Sequence, residues 1–160
     1  MITAKNVAEY FLSKDPERKL FNKNVVLYND RKFYEGNARL NKYLFLAQVV
    51  YMAKFDSKLF SDDFCAYDNG PVIETIMNSY GRLTGKQNQN IISEDIRNFL
   101  DKIYFSLENA TYEELIEITH EDPEWKKLSD STYIAPIMHI EKNIEEYKKR
   151  YKGLISALKI

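Results

Sequence analysis

The sequence is poor in the residues that most often carry chemistry. It has one cysteine and two histidines among 160 residues. A lone Cys65 excludes an internal disulfide, and its neighbours Phe64, Ala66 and Tyr67 mark it as a buried thiol, not a reactive one. His120 and His139 do not share the close Cys/His spacing of a zinc site with any other residue. His120-Glu121-Asp122 offers three ligand types, but consecutive residues in a turn seldom converge on one ion. Cys65 with a distant His120 is not a nucleophile–base motif. Of the five glycines, Gly81 and Gly85 lack the following Lys-Ser/Thr of a phosphate-binding loop. No catalytic, cofactor-binding or metal-ligating residue is assigned, and no cofactor is expected.

Long apolar runs and an excess of one charge are also missing. The longest apolar stretch, residues 43–53, contains Gln48 and is too short to span a bilayer. Residues 1–5 lack the basic and apolar segments of a signal peptide, so a cytoplasmic location is expected. With 23 basic and 24 acidic residues the net charge is −1, which gives no field to draw in nucleic acid or an anionic membrane. Lys148, Lys149, Arg150 and Lys152 form a basic patch, but Glu141, Glu145 and Glu146 share its helix, the balance of a solvated face. Neither nucleic acid nor membrane is expected as a partner.

What is present suits a mostly helical globular chain, apolar at 44% and charged at 29%. The length fits a single domain over residues 1–160. The aromatic share is high, with 12 Tyr and 9 Phe, suiting either a thick core rim or a binding face. Thr3 can cap a first helix carrying Val7, Phe11 and Leu12. A small hairpin is expected near residues 25–34, closed by Gly36-Asn37, and a short strand near 63–67. Residues 40–54 read as a helix apolar nearly all round, the usual pattern of a buried central element, with Lys42 and Gln48 as polar exceptions. Asp68-Asn69 reads as a turn and Gly70-Pro71-Val72 as a helix start, with Gly81 ending that helix.

Residues 82–92 read as a polar loop. Ser93 and Thr111 cap two further helices, and Asp122-Pro123 starts a short one carrying Trp125 and Leu128. Ile137, Ile140, Ile144, Tyr147, Tyr151, Leu154 and Leu158 alternate steps of three and four, which predicts a final helix from near Pro136. The fold class expected is mainly α: a compact multi-helix domain around the central helix, with at most short strands. His120 could act as a general base, but a histidine at a helix end more often packs or caps.

Three blocks recur in this order in one known family. Leu40, Lys42, Leu44, Ala47 and Gln48 form the first; Gly70, Pro71 and Val72 the second; Leu115, Thr119, His120, Pro123 and Trp125 the third. The chain thereby resembles the Panacea domain family (SocA-like antitoxins and GepA-type phage-associated proteins), over about residues 3–150. The isoleucine-bearing helix ending at Tyr147 is similar to the family's closing segment. Residues 17–36 are a longer lead-in than the family's, and residues 148–160 extend its end.

The resemblance implies an antitoxin, not an enzyme, that neutralises a cognate toxin by direct protein–protein binding. That toxin is expected from a neighbouring gene, in a phage or mobile element of a bacterium. It also implies an alternative, an adaptor that delivers the toxin to a cytoplasmic protease. A hydrolase or metal enzyme using His120 is the third reading. The motif residues are expected to hold the fold, with the partner meeting the C-terminal helix through Tyr147, Tyr151, Leu154 and Leu158.

Overall fold

The computed structural model describes residues 2–28, 30–85, 91–129 and 135–160. Helices dominate, in the order α1 (Ala4–Ser13), α2 (Glu35–Phe55), α3 (Glu74–Ser79), α4 (Glu94–Leu107), α5 (Tyr112–His120), α6 (Pro123–Leu128) and α7 (Ile144–Leu158). Two antiparallel strand pairs accompany them: β1 (Val25–Tyr28) with β2 (Arg31–Tyr34), and β3 (Cys65–Tyr67) with β4 (Gly70–Val72). The fold is mainly α, as the periodicity predicts.

Helix α2 is the axis. Leu40, Tyr43, Leu44, Ala47, Val49, Val50 and Met52 have no exposed surface, and α1, α4, α5 and α7 all pack against this helix. A helix enclosed on all sides must be apolar on all sides, which explains the unbroken run in the sequence. It begins five residues before the expected start. Gly36 and Asn37 lie inside its first turn and do not close the preceding segment. A Cβ on Gly36 would stand 2.2 Å from the Asn22 backbone nitrogen and 2.3 Å from the Tyr80 hydroxyl, so the helix start is set by a close approach that only glycine permits.

The polar side chains of the helix are committed to neighbours. The Gln48 amide donates to the Phe60 carbonyl at 2.7 Å and accepts from the Leu59 and Phe60 amides at 2.8 and 3.3 Å. It therefore stands in for a strand partner along the loop after α2. Asn41 accepts from the Ile73 amide, and Arg39 donates to the Ala110 carbonyl.

Two expected helix starts lie elsewhere. Gly70-Pro71-Val72 is strand β4, and α3 begins at Glu74. Gly70 has φ +119°, which completes the Asp68-Asn69 turn, and Pro71 faces Ala66. The Ala66 amide points away, to the Pro136 carbonyl at 2.9 Å, so the Ala66–Pro71 pair needs no N–H from Pro71 and tolerates proline. A 3-10 turn, Tyr80–Arg82, takes over from α3, with Gly81 inside it.

The final helix starts at Ile144 and not near Pro136. Pro136 and Met138 are held extended by backbone bonds to Ala66 and Phe64, Ile137 bridges Cys65, and a 3-10 turn (Ile140–Asn143) follows. The three-and-four spacing through Ile137 and Ile140 thus mimics a helix where the backbone is engaged in a ladder. Gly153 does not break α7, which continues to Leu158. Part of the expected polar loop, residues 86–90, lies outside the described residues.

Capping follows the sequence closely. Thr3 and Asn6 form a reciprocal capping box, and Ser93, Thr111 and Asp122 cap α4, α5 and α6 with their side-chain oxygens. At Thr111 the box is only half made: the Glu114 carboxylate takes the threonine hydroxyl, not its backbone amide.

Candidate functional site

All three motif blocks meet at one small turn, residues 67–70, between β3 and β4. From the first block, Lys42 Nζ donates to the Asn69 carbonyl at 2.9 Å. From the third, Trp125 Nε1 donates to the Tyr67 carbonyl at 2.8 Å. Gly70, from the second, lies against Thr119: a Cβ there would stand 3.1 Å from its hydroxyl oxygen and 3.8 Å from His120 Cδ2. Thr119 itself bonds back to the Leu115 carbonyl. Leu40, Leu44, Ala47 and Leu115 lie in the core, and Pro123 is the first residue of α6.

His120 stacks flat on Trp125, with ring centroids 4.0 Å apart and planes 8° from parallel. Its Nε2 is buried with no hydrogen bond of good geometry among the described residues. Burial, and then the Lys42 ammonium, hold its pKa below the ordinary histidine value, while the Asn69 backbone opposes that shift. A neutral ring is the form that stacks and needs least solvation here.

Lys42 is the most unusual charge in the molecule. Only 2% of it is exposed. Its ammonium sits 5.2 Å from the centroid of the Tyr112 ring. Among the described residues no carboxylate lies within ion-pair distance of it. Burial, and then the neighbouring Arg39, lower its pKa from 10.5 to about 8. Lysine has three N–H donors; Asn69 takes one, and the tyrosine face is the other partner visible.

A cavity of about 220 Å³ opens beside this ammonium. Strand β2 supplies Lys32 and Phe33, helix α2 supplies Asn41 and Lys42, and the turn supplies Asp68 and Asn69. Val72 and Met77 complete a mainly apolar wall. At the same place Asn69 Oδ1 is buried with no hydrogen-bond partner among the described residues.

The C-terminal residues singled out from sequence lie on α7. Tyr147 and Tyr151 are buried, at 0% and 7% exposure, and Leu154 and Leu158 are partly buried against the core. The Tyr147 hydroxyl faces the buried Asp122 carboxylate, which caps α6 through the Glu124 and Trp125 amides. In the free chain these α7 residues are engaged by α2 and the α5–α6 joint.

Sequence reading missed Asn69, Tyr112 and the pocket wall from β2. One signal was present: Asn37, Arg39 and Asn41 join Lys42 and Gln48 as polar residues in an otherwise apolar helix. Five such side chains on a buried helix imply specific partners for each.

Cys65 donates to the Glu74 carboxylate at 3.1 Å, and burial with that carboxylate pushes its pKa up to about 12, which makes it a poor nucleophile. Among the described residues, no group of three or more His, Cys, Asp or Glu is placed to hold a metal ion. No helix among them is long and apolar enough to cross a membrane.

No curated protein and no solved structure matches the chain. A family model does: the Panacea domain of SocA-like antitoxins matches residues 40–126, over half the chain, and includes every residue of the three blocks. The chain belongs to the SocA-like antitoxin, Panacea-domain family.

Proposed function

We propose that this chain is the antitoxin of a two-gene toxin–antitoxin system and neutralises its toxin by binding it directly, without catalysis. Family membership supplies the class. The observation that carries direct binding is the β1–β2 hairpin: Val25 is 62% and Leu27 67% exposed, on the strand paired with β2. Apolar side chains this exposed, two residues apart on one face of a hairpin, are the pattern of a protein-binding face.

The toxin would be encoded next to this gene, on a phage or mobile element, and both proteins would act in the cytoplasm. Residues 1–160 would act as one unit, with the motif residues holding the 67–70 turn.

Co-expression tests this. The neighbouring gene alone should arrest growth, and the pair should grow and co-purify at fixed stoichiometry. The double variant Val25→Ser/Leu27→Ser should fold but lose co-purification. Growth rescue without any complex, together with a shortened toxin half-life that depends on a protease, would replace sequestration by the adaptor mechanism.

A further inference from the structure

The cavity beside Lys42 has a chemistry of its own. The ammonium is buried, it has no carboxylate partner among the described residues, and it donates to one carbonyl only. The walls from Phe33, Val72 and Met77 are apolar, and Lys32 is exposed at the mouth. A group with an apolar stem and one negative charge satisfies all of these features together. Asp68, also exposed at the mouth, disfavours anything more highly charged. The volume, about 220 Å³, lies below the roughly 300–1,000 Å³ of clefts that enclose whole ligands, and suits a single side chain.

We propose that this pocket receives the carboxylate of an aspartate or glutamate side chain from the partner protein, which pairs with Lys42 Nζ. The proposal rests on the reading of the chain as a protein-binding antitoxin. It gives the buried ammonium the counter-charge that the described residues of the free chain do not supply, and so makes a buried ion pair out of a buried single charge. The charged or titratable groups around Lys42 are Arg39 on its own helix, His120 and Tyr112 on α5, Asp68 on the turn and Lys32 on β2. Of these Arg39 disfavours its protonation, as burial does, and an incoming carboxylate reverses that balance. Binding therefore draws a proton onto Lys42 and weakens as pH rises through its titration, near 8 in the free chain.

The test is an NMR titration of the full chain, uniformly labelled so that backbone amides and lysine side chains are both read. The probes are N-acetyl-glutamate N-methylamide, its glutamine counterpart, and acetate. The glutamate probe should bind roughly tenfold tighter than the glutamine probe. It should move the amides of Lys32, Phe33 and Asn69 and raise the Lys42 pKa from about 8. Lys42→Met should abolish the preference, and Ala38→Leu, at a position where α2 lines the pocket, should narrow it while leaving Lys42 in place and so weaken both peptide probes.

Equal binding of the two peptide probes, or an unmoved Lys42 titration in the wild-type chain, overturns the proposal, and neither depends on a variant folding. Acetate binding as tightly as the glutamate probe overturns the partner side chain in favour of a free small carboxylate. Growth protection distinguishes this claim from the antitoxin reading. Full protection by a Lys42→Met chain that has lost probe binding overturns the pocket's role and leaves the antitoxin reading standing. Probe preference without protection against any neighbouring gene product overturns the antitoxin reading and upholds the carboxylate site.

Discussion

Lys42 occupies a motif position and is almost fully buried, so a structural residue would be expected to cost stability when removed. The opposite follows from its environment. Holding the ammonium inside lowers its pKa from 10.5 to about 8. At about 1.4 kcal/mol for each tenfold change in acidity, the protonated form costs the fold about 3 kcal/mol near neutral pH. Lys42→Met removes that cost. It also removes the hydrogen bond to Asn69, about 1–2 kcal/mol, and the cation–π contact with Tyr112, about 0.5–2 kcal/mol. Methionine is of similar length and fills the same space. The terms nearly cancel, so the variant should unfold within about 1 kcal/mol of wild type at pH 7.

The pH dependence gives the same argument a sign. Between pH 8 and pH 10.5 the unfolded chain still holds the Lys42 proton and the folded chain has released it. The unfolded state binds more protons, so stability rises with pH across that window. The buried Tyr43 and Tyr80, raised to about 12, act oppositely above pH 10, where unfolded tyrosines ionise. Both chains share them, so the difference between wild type and Lys42→Met isolates the lysine. Urea denaturation at pH 7 and pH 10 is the assay: the gap should move by about 2 kcal/mol in favour of wild type at the higher pH. A loss above about 2 kcal/mol at pH 7, or a gap that does not move with pH, would refute the view of Lys42 as a charge kept for a partner.

Three further outcomes are expected. Gln48→Leu, which fits by shape but leaves the Leu59 and Phe60 amides and the Phe60 carbonyl unpaired, should cost about 3 kcal/mol or more in denaturant unfolding. Gly36→Ala should cost at least about 2 kcal/mol, because a Cβ would overlap the Asn22 backbone and that strand of chain must shift; calorimetry would show the lowered Tm. His120 is held below its ordinary pKa, so the unfolded chain takes up its proton first and stability should fall as pH drops through about 6.5. His120→Gln should flatten that part of the pH profile.

The sequence exposed the helices because each carries a local signal. Thr3, Ser93, Thr111 and Asp122 cap where capping chemistry predicts, and α2 is apolar because it is enclosed. The two misplaced helix starts share one cause, tertiary backbone pairing. Gly70-Pro71 has the composition of a helix start, yet its phi of +119° and its pairing with residues 65–67 make it a strand. Residues 136–138 carry helical spacing but are held extended by Phe64 and Ala66. At the site, the motif positions were legible and their meeting point was not. Residues 42, 70 and 120 are brought together by a turn whose key atoms, the Tyr67 and Asn69 carbonyls, belong to the backbone and leave no residue-type signal.

That division bears on where recognition resides. The family match begins at residue 40, so the Lys42 ammonium and the 67–70 turn lie inside it, while Lys32 and Phe33 of the pocket wall and the exposed Val25 and Leu27 lie before it. The motif therefore fixes the position of one buried charge and of the turn that holds it. One side of the mouth, Lys32, belongs to the segment that the motif does not specify, and the other, Asp68, belongs to the turn. A buried lysine is a poor discriminator alone, since any carboxylate satisfies it; discrimination needs walls that accept one stem and reject another. In this chain Val72 and Met77 lie inside the match, but Lys32 and Phe33 of β2 lie before it, and it is at these two that the wall can change without disturbing the joint that His120 and Trp125 make with the turn.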